Sequence, residues 1–155
     1  MSKKLSQSSI VESQYTTLHD VYVLLDAGDK SIYQAFDLTR QQYDVLNQLH
    51  PTNGQRLTTL SRYLLFSKSQ ITRLVDQLEQ LGFVERATDP QDGRAQRVKL
   101  TTSGYQRQQQ VRYAHLNSLY ERFNILNFAE QQQLTLLLKK LRDGLDHHLT
   151  HQPEW

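Results

Sequence analysis

The sequence predicts a mostly α fold with a small antiparallel β wing, and three observations carry that prediction. Between Ser67 and Leu81 the apolar residues Ile71, Leu74, Val75, Leu78 and Leu81 recur at helical spacing, and Gly82 follows as a stop. Residues 83–87 and 96–100 then read as strands, joined by the turn-rich link Thr88-Asp89-Pro90-Gln91-Asp92-Gly93-Arg94. On both sides of this module, long segments carry apolar residues three and four apart, the pattern of amphipathic helices. The resulting organisation is a tail over 1–9, a helical segment over 10–36, a module of short helices and a two-stranded ribbon over 37–101, C-terminal helices over 102–150 and a tail over 151–155.

Each element has its own justification. Residues 1–9 are polar and offer nothing to bury. From Ile10, the residues Val11, Tyr15, Leu18, Val21, Tyr22 and Leu25 define one long helix face. Gly28-Asp29 suggests a break or kink before Ile32, Tyr33 and Phe36 continue the pattern. Thr39 with Gln42 forms a capping-box start for a helix that buries Tyr43, Leu46 and Leu49 and ends before Pro51. A turn over 51–55 leads to Arg56-Leu57, which offer a short third strand. The next helix covers about 58–65 and buries Leu60 and Leu64. Leu65-Phe66 then occupy a turn where Gly is common, so Leu65 is expected to turn without a positive φ. Ser67 with Gln70 reads as a second capping box.

Beyond the wing, residues 102–126 form a helix with Val111, Leu116, Leu119, Tyr120 and Phe123 apolar, while its polar stretch 106–110 is expected to be solvated. Asn127 with Glu130 caps a final helix whose stripe is Leu134, Leu137, Leu138, Leu141, Leu145 and Leu149. A stripe of that length needs cover. A second copy of the chain, meeting this helix and the first one, is favoured over an intramolecular hairpin.

The flank of the 67–81 helix opposite its apolar stripe carries Ser67, Lys68, Ser69, Gln70, Thr72, Arg73 and Gln77. Hydroxyls, amides and guanidinium groups are the donors that bond phosphates and base edges in a major groove. A solvated helix face would look similar, and the ribbon that follows is what favours duplex DNA. There Val98 and Leu100 alternate with Arg97 and Lys99, so one face packs and the other is cationic. Net charge is only +2, yet residues 56–101 hold eight Lys or Arg against five acids, a surplus of three, which leaves the remainder at −1. The chain has no cysteine, which excludes disulfide, thiolate and Cys–zinc chemistry. It shows no nucleophile elbow, phosphate-cradling Gly loop or paired catalytic carboxylates, so no enzyme and no cofactor are expected. With no apolar run of membrane-spanning length and no signal-peptide pattern, a cytoplasmic location without membrane contact is expected.

In order and spacing these segments resemble the MarR group of winged helix-turn-helix regulators. The carriers are Thr39-Arg40-Gln41-Gln42-Tyr43-Asp44-Val45-Leu46, Leu60-Ser61-Arg62-Tyr63-Leu64, the 67–86 stretch, and above all Asp92-Gly93-Arg94-Ala95-Gln96-Arg97-Val98-Lys99-Leu100-Thr101 with Gly104. The resemblance covers the chain from Thr39 onward and, more loosely, the first helix. It implies a homodimer on a pseudo-palindromic operator, acting as a repressor relieved by ligand. It also implies that Arg94 enters a minor groove with Asp92 holding it, the alternative being a surface ion pair. Arg97 and Lys99 are left as phosphate contacts or structural ion pairs. Family members often bind small aromatic or phenolic anions, and His19, Tyr22, Tyr43 and Tyr113 could line such a cleft, or could be ordinary core and interface aromatics. Lacking cysteine, the chain cannot be one of the family's thiol-based peroxide sensors. Two rival functions remain: a metal-responsive regulator using His147, His148 and His151, and a winged-helix adaptor that contacts protein alone. No metal site is assigned.

Overall fold

The computed structural model describes residues 7–89 and 92–150. These form α1 (Gln7–Ala35), α2 (Arg40–Asn47), β1 (Gln55–Arg56), α3 (Leu57–Leu64), α4 (Lys68–Gln80), β2 (Val84–Asp89), β3 (Asp92–Leu100), α5 (Thr102–Phe123) and α6 (Phe128–Thr150). The fold is mostly α with one small antiparallel sheet of order β1-β3-β2. Two compact units are present, one ending at His115 and the other beginning at Leu116.

In the first unit the apolar stripes converge on one core. Leu46 of α2, Leu60 of α3, Ile71, Val75 and Leu78 of α4, Val98 of β3 and Val111 of α5 are all fully buried. Sheet register supports this packing: Val84 pairs with Leu100 and Arg86 with Val98, so alternate residues face the helices. β1 supplies the third strand expected at Arg56-Leu57, shifted by one residue to Gln55–Arg56 because Leu57 opens α3, with Gln55 opposite Val98. In the second unit, Asn127 and Glu130 make the reciprocal cap of α6, each side chain accepting from the other's backbone N–H at 3.1 and 2.8 Å.

Three helices of the first unit end in the same hydrogen-bond pattern. Leu38 N–H donates to Tyr33 O, Phe66 N–H to Ser61 O and Phe83 N–H to Leu78 O, each spanning five residues. Such an ending requires a left-handed residue just before the donor. Asp37, Leu65 and Gly82 fill that place, with φ of 57°, 55° and 72°. The expectation that Leu65 avoids a positive φ is therefore overturned. Swinging Phe66 back against the core demands the left-handed step, and Ser61 Oγ donating to Phe66 O at 2.6 Å secures it.

Other expectations are corrected as well. α1 starts at Gln7 and runs through Gly28-Asp29 unbroken. A helical Gly is only about 1 kcal/mol unfavourable, and the bond between Asp29 and His115 Nε2 at 3.0 Å holds this turn in place. The stretch 106–110 is not solvated throughout, because Gln108 is buried and its Nε2 donates to Leu46 O and Leu49 O at 2.6 and 3.3 Å. The carbonyls at the end of α2 need donors, and this amide supplies them. Leu81 leaves the stripe at the end of α4 and is about half exposed. Ser67 makes only the forward half of a capping box, with its Oγ accepting from Gln70 N–H at 3.2 Å.

Candidate nucleic-acid interface

The outer flank of α4 is built by its cap and its period. Ser67 starts the helix, so Ser69 and the N-terminal backbone stand at a free end while Ile71, Leu74, Val75 and Leu78 anchor the opposite side. Lys68, Ser69, Thr72, Arg73 and Gln77 are exposed, and Gln70 is half-buried. Thr72 Oγ1 donates its proton back to Lys68 O at 2.9 Å, and Gln77 Oε1 accepts from Gln42 Nε2 at 3.2 Å.

The cations of the wing and of α4 fall into two groups. Arg86 is clamped by Asp76 and by Glu79, the latter at 2.9 Å, and Lys99 by Glu85 at 2.9 Å. Asp89, fully buried at the end of β2, faces Arg56 of β1 and lies 3.0 Å from Arg97 Nε of β3, so one carboxylate ties all three strands. The bond to Asp89 is the main reason the Arg56 guanidinium is held above its ordinary pKa. Arg97 also donates to Gly54 O at 3.2 Å. Of the two roles the sequence left open for Arg97 and Lys99, the ion-pair role is filled inside the wing. Lys68 and Arg73, by contrast, have no carboxylate partner among the described residues. Asp92 is exposed at the start of β3; the Arg94 side chain lies outside what is described.

The four residues suggested for an effector cleft are not alike. Tyr43 is buried and its ring stacks on Tyr33 with centroids 5.0 Å apart, whereas His19, Tyr22 and Tyr113 are exposed. Around the stacked pair, Asp26 and Asp29 of α1 and Asp44 of α2 surround Arg40 at 3.0, 3.7 and 3.9 Å. Burial pushes the Tyr33 hydroxyl up to about 12, with Asp29 adding to the effect, and raises Tyr43 and Asp44 above their ordinary values. Among the described residues no group of three or more His, Cys, Asp or Glu is arranged to hold a metal ion; His147 lies in α6 and His151 outside the described residues.

The burial of Asp89 and the bond from Gln42 to Gln77 were missed by sequence reasoning. A carboxylate in a Pro- and Gly-containing link reads as a turn residue, and only three-dimensional pairing reveals its burial.

A helix-turn-helix whose second helix keeps a cationic, hydrogen-bonding flank uncovered, followed by an ion-paired antiparallel wing, defines a winged helix-turn-helix protein. Comparison with known proteins narrows the class. The MarR family model matches residues 36–95. PrsX of Escherichia coli, an HTH-type transcriptional regulator, is 32% identical over 114 residues, covering 72% of this chain and 69% of PrsX. YkoM of Bacillus subtilis (strain 168), an uncharacterized HTH-type transcriptional regulator, is 32% identical over 99 residues; the match spans 64% of this chain and 64% of YkoM. The crystal structure of a MarR mutant from E. coli complexed with operator DNA superposes with a TM-score of 0.72 at 26% identity, covering 88% of this chain and 99% of that one. The chain belongs to the MarR family of transcriptional regulators.

Proposed function

We propose that this regulator binds duplex DNA as a homodimer, each protomer laying the outer flank of α4 in a major groove with the wing beside it. The observation that carries the reading is the division of cations: those of the wing root are neutralised by carboxylates, while Lys68 and Arg73 stand uncovered on the helix flank. An ion-paired scaffold presenting unpaired cations is what contact with a polyanion requires.

The second copy is inferred from uncovered apolar side chains in each unit. On α1, Val11, Val21 and Leu24 are 58%, 45% and 71% exposed; on α6, Leu137, Leu141 and Leu145 are 58%, 46% and 50% exposed. Apolar surface repeated over so many helical turns is costly in water and is suited to a partner helix. Two-fold symmetry then gives a pseudo-palindromic operator with half-site centres roughly 10 bp apart. Bound there, the dimer acts as a repressor, and a small aromatic or phenolic effector that alters the separation of the two α4 helices relieves it. The cytoplasm, where DNA is reached, is its place of action.

Selection of duplexes from a random-sequence pool tests this reading. The expected products are pseudo-palindromes bound with an affinity that falls steeply with salt. Sedimentation equilibrium should return a dimer at micromolar concentration. A monomer, or a chain that retains no duplex, refutes the proposal.

A further inference from the structure

Gln42 lies on α2 and Gln77 on α4, thirty-five residues apart in sequence, and their carboxamides meet at 3.2 Å. The orientation of each amide follows from a chain of donors and acceptors. Thr39 N–H can only donate, and its acceptor 2.8 Å away is therefore Gln42 Oε1. That bond fixes the Gln42 amide and leaves its Nε2 hydrogens directed elsewhere. The Gln77 atom they reach must be an acceptor, which is Oε1. Gln77 is exposed, four residues beyond Arg73 and so on the same flank of α4, and among the described residues no acceptor takes its Nε2 hydrogens. A backbone amide at the start of α2 thus decides which end of a side chain the reading helix offers.

We propose that Gln42 is a positioning residue that acts through Gln77, holding its carboxamide so that the N–H₂ end meets an acceptor on the duplex. This rests on the DNA-binding reading above and deepens it. The acceptor is a backbone phosphate oxygen or a base-edge acceptor (a purine N7, guanine O6 or thymine O4), which share this chemistry. A glutamine free to turn over could offer its oxygen to an amino group of adenine or cytosine instead; Gln42 removes that choice.

The substitution Gln42→Glu separates positioning from folding. A carboxylate still accepts from Thr39 N–H, so the α2 cap and the melting temperature should be preserved. It cannot donate to Gln77, however, and the Gln77 amide should turn to donate to it, presenting Oε1 outward. On duplexes selected by the wild-type chain, Gln42→Glu should weaken binding about tenfold for each protomer engaged, roughly a hundredfold for a dimer on both half-sites, the scale of one hydrogen bond per α4 to a charged or polarised acceptor. The added negative charge contributes to that loss, so the same substitution is made in a Q77A background, where only the charge acts. A clearly smaller loss there supports the proposal. Equal losses in the two backgrounds overturn it, as does a Gln42→Glu protein that binds like wild type. A coupled loss that is uniform across selected sequences identifies a phosphate, and one confined to a single base-pair position identifies a base. A wild-type chain that retains no duplex would remove the DNA reading and this inference together, whereas binding without coupling removes this inference alone.

Discussion

Gly104 packs directly against the Phe83 backbone, and Gly104→Ala should be severely destabilising. A methyl group there would lie 1.8 Å from Phe83 O and 2.7 Å from the Phe83 carbonyl carbon. Reaching an ordinary contact of about 3.4 Å would need α5 to withdraw by roughly 1.6 Å, which a packed interior resists. Three bonds depend on that approach: Thr101 Oγ1 and Ser103 Oγ to Gly82 O at 2.7 and 2.8 Å, and Thr101 N–H to Phe83 O at 3.1 Å. At about 1 kcal/mol each they amount to about 3 kcal/mol. Loosening of buried Val111 adds about 1 kcal/mol, and the better helix propensity of Ala returns about 1 kcal/mol. The net loss is about 3 kcal/mol, or roughly 6–12 °C in melting temperature for a chain of this size. Thermal unfolding followed by circular dichroism at one fixed protein concentration measures it, since assembly would make the midpoint concentration-dependent. A variant melting within about 1 °C of wild type would show that this junction yields freely and that the reasoning is wrong.

Leu65→Gly should stabilise the protein by about 0.5–1 kcal/mol, because Leu65 is 90% exposed and sits at φ 55°, where a side chain is strained and makes little contact in return; a lowered melting temperature would refute this. Tyr33→Phe tests the buried hydroxyl. Its pKa is raised to about 12 in the fold, so the stability linked to its proton is complete below pH 10 and is lost as pH rises through 12. Denaturant titrations from pH 9 to 12 should show the variant losing about 2–3 kcal/mol less than wild type, and equal slopes would dismiss the linkage.

Periodicity made α4 legible, since a stripe of apolar residues three and four apart needs only local spacing to be seen, although its last member, Leu81, falls outside the helix. The wing was legible for the same reason, through alternation in β3, although the link read over 88–94 is mostly strand, with β2 reaching Asp89 and β3 starting at Asp92. Contacts set by distant neighbours were not. Gln108 sits in a run of polar residues that reads as solvated, yet the unsatisfied carbonyls ending α2 draw its amide inside. Leu65 adopts a conformation its own chemistry disfavours because Phe66 must reach the core. Asp89 and Arg97 follow the same rule: which cation meets which carboxylate is decided by strand register, and residues 84–100 fix that register only once the hairpin has formed. At the candidate interface, residue types could be read directly, whereas whether each cation was free or already paired could not.

That last distinction has a measurable consequence. If duplex binding displaces counterions, the slope of log affinity against log salt counts the phosphates a protein neutralises, at about 0.9 per contact on B-form DNA. A lysine already neutralised at 2.9 Å by Glu85 should add little to that count, and Lys99 is in that position. Lys68 carries an unopposed charge among the described residues. Lys68→Ala should therefore flatten the salt dependence by about 0.9 for each protomer engaged, roughly 1.8 for a dimer on both half-sites. Lys99→Gln should leave the slope near its wild-type value even if the wing becomes slightly less stable. Fluorescence-anisotropy titrations of selected duplexes across a series of salt concentrations give both slopes. Were Lys99→Gln to flatten the dependence as much as Lys68→Ala, the carboxylate pairing of the wing would not be what decides which cations face the duplex.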